Sequence, residues 1–154
     1  MNELRRKDRG IPFEKSKAIL EKGEYGVLST TNRNGTPYGV PLNYSMIDNS
    51  IYFHCAVEGQ KIDNITHNKF VSFSVVGKTE ILPDQFGTKY QSVIVSGEAA
   101  EVFDDDKQAA LEGFLKKYSS EFLEKGMKYI EGFKDKTRVF KITINRITGK
   151  ARTQ

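Results

Sequence analysis

The stretch IYFHCAVEGQKIDNI, residues 51–65, passes from an apolar strand pattern into a helix pattern, and it indicates both the fold and a site. Gly59 allows the backbone to approach a ligand closely, and Lys61 falls in the first turn of the predicted helix. Helix N-terminal N–H groups and an ammonium group together favour phosphate binding. A glycine and a lysine at this place also suit a helix cap and a solvated charge, so the stretch alone leaves both interpretations open.

The composition of the whole chain restricts the class of protein to which this stretch can belong. The chain has 154 residues, of which 38% are hydrophobic, and this predicts one packed domain over residues 1–154. The charged start MNELRRKDRG does not fit a signal peptide and no apolar run is long enough for a membrane span, so we expect a cytoplasmic protein without membrane contact. Cys55 is the single cysteine, which fits a reducing compartment. A net charge of +4 on mixed surfaces does not indicate nucleic-acid binding.

Strand patterns dominate the rest of the chain. Strands are predicted over 24–31, 36–47, 51–56, 70–77, 90–103 and 137–151, and helices over 12–23, 59–69, a segment after the acidic run 104–106, and 121–133. Asn34-Gly35 predicts a tight hairpin turn. Residues 78–89 are irregular in pattern and are predicted to form a functional loop. This order predicts a small antiparallel barrel with added helices.

The sequence lacks the motifs of several enzyme classes. His54 and His67 are thirteen residues apart and one cysteine does not complete a zinc site, so no metal site is predicted. There is no G-x-S-x-G, no P-loop and no G-x-G-x-x-G motif. With little conventional acid–base chemistry in the chain, a reaction would depend on a cofactor.

Six strings in order resemble the FMN-binding split-barrel family typified by pyridoxamine 5'-phosphate oxidase. They are EYGVLST, NGTPYGVPLNY, IYFHCAVEGQKIDNI, VSFSVVG, KYQSVIVSGEA and ITGKAR. Within that family they are most similar to the nitroimidazole-resistance branch. The resemblance implies a mainly β fold, a six-stranded antiparallel Greek-key split barrel with α-helices. It also implies a homodimer that holds FMN at the subunit interface.

The resemblance also nominates residues for flavin binding. The string GVPLNY corresponds to the strand that meets the flavin ring, and FHCAVEGQK to the segment that holds ribityl and phosphate. KYQSVIV corresponds to a strand that contributes polar side chains from the partner, and ITGKAR to a terminal segment at the interface. The residues nominated in this way are Val40, Pro41, Leu42, Asn43, His54, Ala56, Gly59, Lys61, Ile62, Gln91, Ser92, Lys150 and Arg152.

The sequence departs from the oxidases that name the family. Their arginine- and serine-rich phosphate clamp and their C-terminal arginine motif have no counterpart here, and Gly59 stands where the clamp has a serine. The resemblance therefore does not extend to oxidation of vitamin B6.

His54 is the candidate catalytic residue, because the resemblance places this histidine beside the flavin and imidazole titrates near neutral pH. A lone histidine at a strand end also serves as a hydrogen-bonded structural residue. We predict an FMN-dependent oxidoreductase that reduces electron-poor small molecules such as nitroimidazoles or quinone-like compounds. Two alternatives remain at this point: an FMN-binding carrier module without turnover, and a haem-related split barrel.

Overall fold

Local sequence explains how the sheet begins. The computed structural model describes residues 2–154. Gly35 has a φ of +84° in the turn that joins the first long hairpin, as the Asn-Gly pair predicted. The side chain of Asn34 accepts hydrogen bonds from the backbone and hydroxyl of Thr36, which fixes the turn. Thr31 then pairs with Pro37, and the two strands run antiparallel from there.

Eight strands and four α-helices make up the fold of residues 2–154. The strands are β1 (Gly10–Ile11), β2 (Gly26–Thr31), β3 (Pro37–Leu42), β4 (Ser45–Ile47), β5 (Ser50–Cys55), β6 (Phe70–Leu82), β7 (Gly87–Val102) and β8 (Arg138–Arg152). The helices are α1 (Phe13–Lys22), α2 (Gln60–His67), α3 (Asp104–Tyr118) and α4 (Leu123–Phe133). Among the described residues, no helix is long and apolar enough to cross a membrane.

The strands form one antiparallel sheet in the order β3-β2-β6-β7-β8-β5-β4, and β1 pairs with β8. The two ends of this order, β3 and β4, are joined by only Asn43 and Tyr44, so the sheet must curl back on itself. The predicted split-barrel class is therefore confirmed. The sheet has eight strands rather than six, because the two-residue β1 and the three-residue β4 add to the six long ones.

The predicted functional loop over 78–89 is wrong. Thr79 to Leu82 of β6 pair with Gly87 to Tyr90 of β7, so most of the segment is a hairpin. Pro83 to Phe86 leave the ladder in a single 3-10 turn, and Lys78 lies at a register shift between Val76 and Thr79. The mixed polar pattern that suggested a loop arises because residues 79–81 are exposed and residues 87–90 are all half-buried, so neither strand alternates between a buried and an exposed face.

Two hydrophobic clusters pack on opposite sides of β5. The main core lies inside the curled sheet and includes Phe53 and Cys55. A smaller cluster lies between the sheet and the pair α3 and α4, where Tyr52 meets Phe114. Successive side chains of β5 point to opposite faces, and this alternation determines which cluster each residue enters.

Candidate functional site

Two strand edges are left open where the curled sheet fails to close. β3 pairs only with β2, and β4 covers β5 only at Ser50–Tyr52. Phe53–Cys55 therefore have no strand neighbour on that side. Val40 and Leu42 pack against the main core, whereas Pro41 and Asn43 are exposed. Backbone groups at such edges are available to a bound molecule.

The beginning of α2 is a second feature of this opening. Gly59 has a φ of +152°, and a Cβ built on it would have no atom within 4 Å, so the backbone there is accessible. Within the described chain, the backbone N–H groups of Gln60 and Lys61 have no hydrogen-bond acceptor. Lys61 also makes no ion pair with a described residue. Unpaired N–H groups and an uncommitted ammonium form a site suited to an anion.

His54 lies near the end of β5, the strand that leads to this helix start. Its ring is exposed in part and packs edge-on against Phe114 of α3, with 4.7 Å between the ring centroids. Burial against α3 lowers the pKa of His54, and the positive charge of Lys61 lowers it further. The imidazole is consequently neutral at pH 7. We call residues 54–61 the α2 corner.

The other predicted residues in and next to the corner differ in what they offer. Ala56 is exposed in the chain between β5 and α2. Ile62 is 4% exposed in the main core, and its N–H already donates to the carbonyl of Gly59 at 3.1 Å. Cys55 points away from His54 into the core, and burial raises the pKa of its thiol. This thiol is therefore an inert core group.

The remaining predicted residues lie at the far end of the sheet. Ser92 of β7 pairs with Val76 of β6 and with Lys150 of β8, so these three side chains point to the same face of the sheet. Ile94 is two residues beyond Ser92 and Arg152 is two residues beyond Lys150, so both also point to that face. Val76 and Ile94 are 64% and 52% exposed. We call Val76, Ser92, Ile94, Lys150 and Arg152 the outer strand face.

Gln91 points the opposite way. Its side chain lies over Gly77, where Ile19 of α1 also packs. The structure thus places Gln91 and Ser92 on opposite faces of β7.

Within one chain the α2 corner and the outer strand face do not meet. His54 pairs with Val139 at the start of β8, and Lys150 is eleven residues further along the same strand. That separation is about 36 Å of strand contour. A single chain therefore presents two separate sets of the predicted residues.

Sequence reasoning missed the residues that hold the α2 corner in place. Arg138, Glu101 and Asn64 bridge elements that are distant in the chain, and only the fold brings them together. The sequence signal for Asn64 is weak: it is a polar residue between Ile62 and Ile65 on the buried side of α2, where it is 3% exposed.

Known structures have the same fold. A conserved hypothetical protein from Mycobacterium tuberculosis aligns with a TM-score of 0.83 at 17% identity, over 97% of this chain and 90% of that one. A protein from Bacteroides thetaiotaomicron proposed to confer 5-nitroimidazole antibiotic resistance aligns with a TM-score of 0.73 at 20% identity, over 92% and 85%. An FAD-binding protein from Mesorhizobium loti aligns with a TM-score of 0.68 at 23% identity, over 94% and 98%. At these identities the likeness concerns the fold.

Sequence comparison identifies the family. No curated protein sequence matches the chain. The family model described as pyridoxamine 5'-phosphate oxidase matches residues 14–151, a range that includes the open strand edges, the α2 corner and all of the outer strand face except Arg152. On this match over nearly the whole chain, the protein belongs to the pyridoxamine 5'-phosphate oxidase family.

Proposed function

We propose that this protein is an FMN-dependent oxidoreductase that works as a homodimer and reduces electron-poor small molecules such as nitroimidazoles. One observation carries the proposal. At an open strand edge, β5 with His54 leads directly into a helix start that presents Lys61 and two N–H groups without an acceptor in the described chain, in a protein of this family. This arrangement supplies a phosphate site next to a titratable side chain.

The residues present would hold FMN as follows. Gly59 leaves open space above the first turn of α2, where a phosphate dianion would meet the N–H groups of Gln60 and Lys61. The Lys61 ammonium would complete that contact. The exposed edge of β3 from Val40 to Asn43 offers backbone groups to the ring system.

The outer strand face supports a dimer. Val76 and Ile94 are large apolar side chains on an open sheet face, which is typical of a protein–protein contact. Ser92, Lys150 and Arg152 add polar groups to the same face. In a two-fold dimer this face of one subunit would complete the α2 corner of the other, as the predicted contribution from the partner requires.

The chain's own groups have limited but definite roles in such a reaction. Bound FMN would supply the two-electron transfer. Reduction of a nitro group to a nitroso group takes up two electrons and two protons and releases one water molecule. The exposed His54 would hydrogen-bond an acceptor and transfer a proton from solvent. Phe114 fixes the ring of His54 from one side.

An absorption spectrum of the purified protein is the first test. Flavin bands at about 375 and about 450 nm, with FMN released on denaturation, would support the proposal. A Soret band would favour a haem-related protein, and released FAD would change the cofactor. Anaerobic reduction followed by addition of a nitroimidazole then tests turnover: flavin reoxidation with product formation is expected. Bound FMN that is never reoxidised would indicate a carrier module instead.

A further inference from the structure

Arg138 connects three separate parts of the chain. It is the first residue of β8, and its guanidinium donates to both carboxylate oxygens of Glu101 on β7, at 2.9 and 2.7 Å. A third donor, Nη1, reaches the backbone carbonyl of Val57 at 3.3 Å. The Arg138 and Glu101 side chains are only 30% and 21% exposed. A two-point ion pair of this kind holds the guanidinium in one orientation.

The contact with Val57 matters because residues 56–58 have little other support. In the described chain, no other hydrogen bond reaches these three residues. They leave β5 and lead directly to Gly59 and the unpaired N–H groups of α2.

The body of α2 is anchored separately. Nδ2 of the buried Asn64 donates to Oγ1 of Thr30 at 3.0 Å and to Oδ1 of Asn32 at 2.9 Å. Gln60 donates to the same Asn32 oxygen at 2.8 Å. The helix is therefore fixed to the β2–β3 hairpin, while the segment that enters it is fixed by Arg138.

We propose that Arg138, held by Glu101, is a positioning residue for the anion site of the α2 corner. By fixing the Val57 carbonyl it would hold Gly59 and the first turn of α2 where their N–H groups and Lys61 converge on one phosphate. This inference rests on the proposed function, since it assigns the phosphate of FMN to that site. Arg138 itself is directed to Glu101 and Val57 and would not touch the ligand.

The experiment measures FMN and riboflavin affinity by flavin fluorescence, in the wild type and in Arg138→Gln. Riboflavin lacks the phosphate, so a positioning effect should appear in the ratio of the two dissociation constants. We expect the FMN constant to rise about tenfold and the riboflavin constant less than twofold. Arg138→Lys should raise the FMN constant by a similar factor. A lysine ammonium does not reproduce the guanidinium geometry, in which two donors bind Glu101 and a third reaches the carbonyl of Val57. Glu101→Gln should raise the FMN constant about threefold.

Arg146→Gln is the matched control, because Arg146 also donates to a backbone carbonyl, that of Asn2 at 3.1 Å, in a different part of the fold. This variant should leave the ratio of the FMN and riboflavin dissociation constants unchanged. Hydrogen exchange of the flavin-free proteins gives a second measurement: Arg138→Gln should speed exchange at residues 57–62, and Arg146→Gln should not.

The possible failures are distinguishable. A wild type that binds FMN no better than riboflavin would overturn the proposed function. A wild type that prefers FMN, with the same ratio and the same exchange at 57–62 in Arg138→Gln, would overturn the positioning role alone. Equal losses for both flavins would show that Arg138 supports the fold and not the phosphate site.

Discussion

The α2 corner and the outer strand face differ in how their groups are held. The corner presents unpaired N–H groups and one uncommitted ammonium on a backbone that Arg138 and Asn64 fix from two sides. The outer strand face presents exposed apolar side chains on a regular ladder. Polar groups that are rigid and unpaired suit a small anion, whereas an exposed apolar sheet face suits another protein surface. The difference is the basis of our proposal that each region is one half of a site completed by a second copy.

Placing a charge on the outer strand face tests whether this face is a protein contact, and we expect it to give the largest effect. Ile94→Asp puts a carboxylate where we propose an apolar contact, while the half-exposed side chain leaves the core intact. We expect the dissociation constant of the dimer to rise more than about a hundredfold, and FMN binding to be lost. Analytical ultracentrifugation with and without FMN measures both. Tyr129→Asp, at a similarly exposed position on α4, is the control, and an Ile94→Asp dimer of wild-type affinity would exclude this face as the interface.

Removing the Lys61 ammonium tests whether the α2 corner binds a phosphate. Lys61→Ala should weaken FMN binding about tenfold to a hundredfold, because a charge-assisted contact with a phosphate contributes about 1.5–3 kcal/mol. Riboflavin binding should stay the same. Fluorescence titration with both flavins checks this, with Lys116→Ala on the exposed side of α3 as the control. Equal losses for the two flavins would contradict a phosphate contact.

His54 tests whether the corner does chemistry as well as binding. His54→Gln should keep FMN and the dimer but lower nitro-group reduction about tenfold or more. Since burial and Lys61 lower the pKa of His54, the wild-type rate should change with pH below 6.5 and be flat around pH 7. Rates from pH 5 to 8 measure this. His67→Gln is the control, and a His54→Gln variant that melts earlier with an unchanged rate and pH profile would make His54 a structural residue.

The smallest expected effect is a change in stability from Lys117, which contacts the junction between β3 and β4. Its Nζ donates to the carbonyl of Tyr44 at 2.8 Å and lies 3.7 Å from the centroid of the Tyr44 ring. Burial lowers the pKa of Lys117 to about 8. Between about pH 8 and the ordinary value of 10.5, the unfolded chain therefore binds more protons at this site than the folded one.

Stability from this group should consequently rise with pH through that window. The melting temperature of the wild type, relative to Lys117→Met, should increase from pH 7.5 to pH 10 by a few degrees. Differential scanning calorimetry at matched ionic strength checks the difference. A constant difference across the window would show that Lys117 titrates at its ordinary value.

Sequence patterns predicted the strands and helices that local chemistry dictates. The Asn34-Gly35 turn, the change from strand to helix after Cys55 and the helix that contains Phe114 all depend on neighbours within a few residues, and all are present. The hairpin over 79–90 was missed because neither of its strands shows the alternation between a buried and an exposed face that identifies a strand.

The sequence by itself determined the fold class and the family, because these follow from short strings in a fixed order, and it nominated residues for the site that stay predictions. Only the tertiary structure decided that His54 packs on Phe114, that Gln91 and Ser92 face opposite ways, and that Arg138 reaches Val57 across 81 residues of chain. Such contacts depend on sheet register and on which face a helix covers. Register is fixed by the packing of the whole barrel, and no single stretch of sequence encodes it.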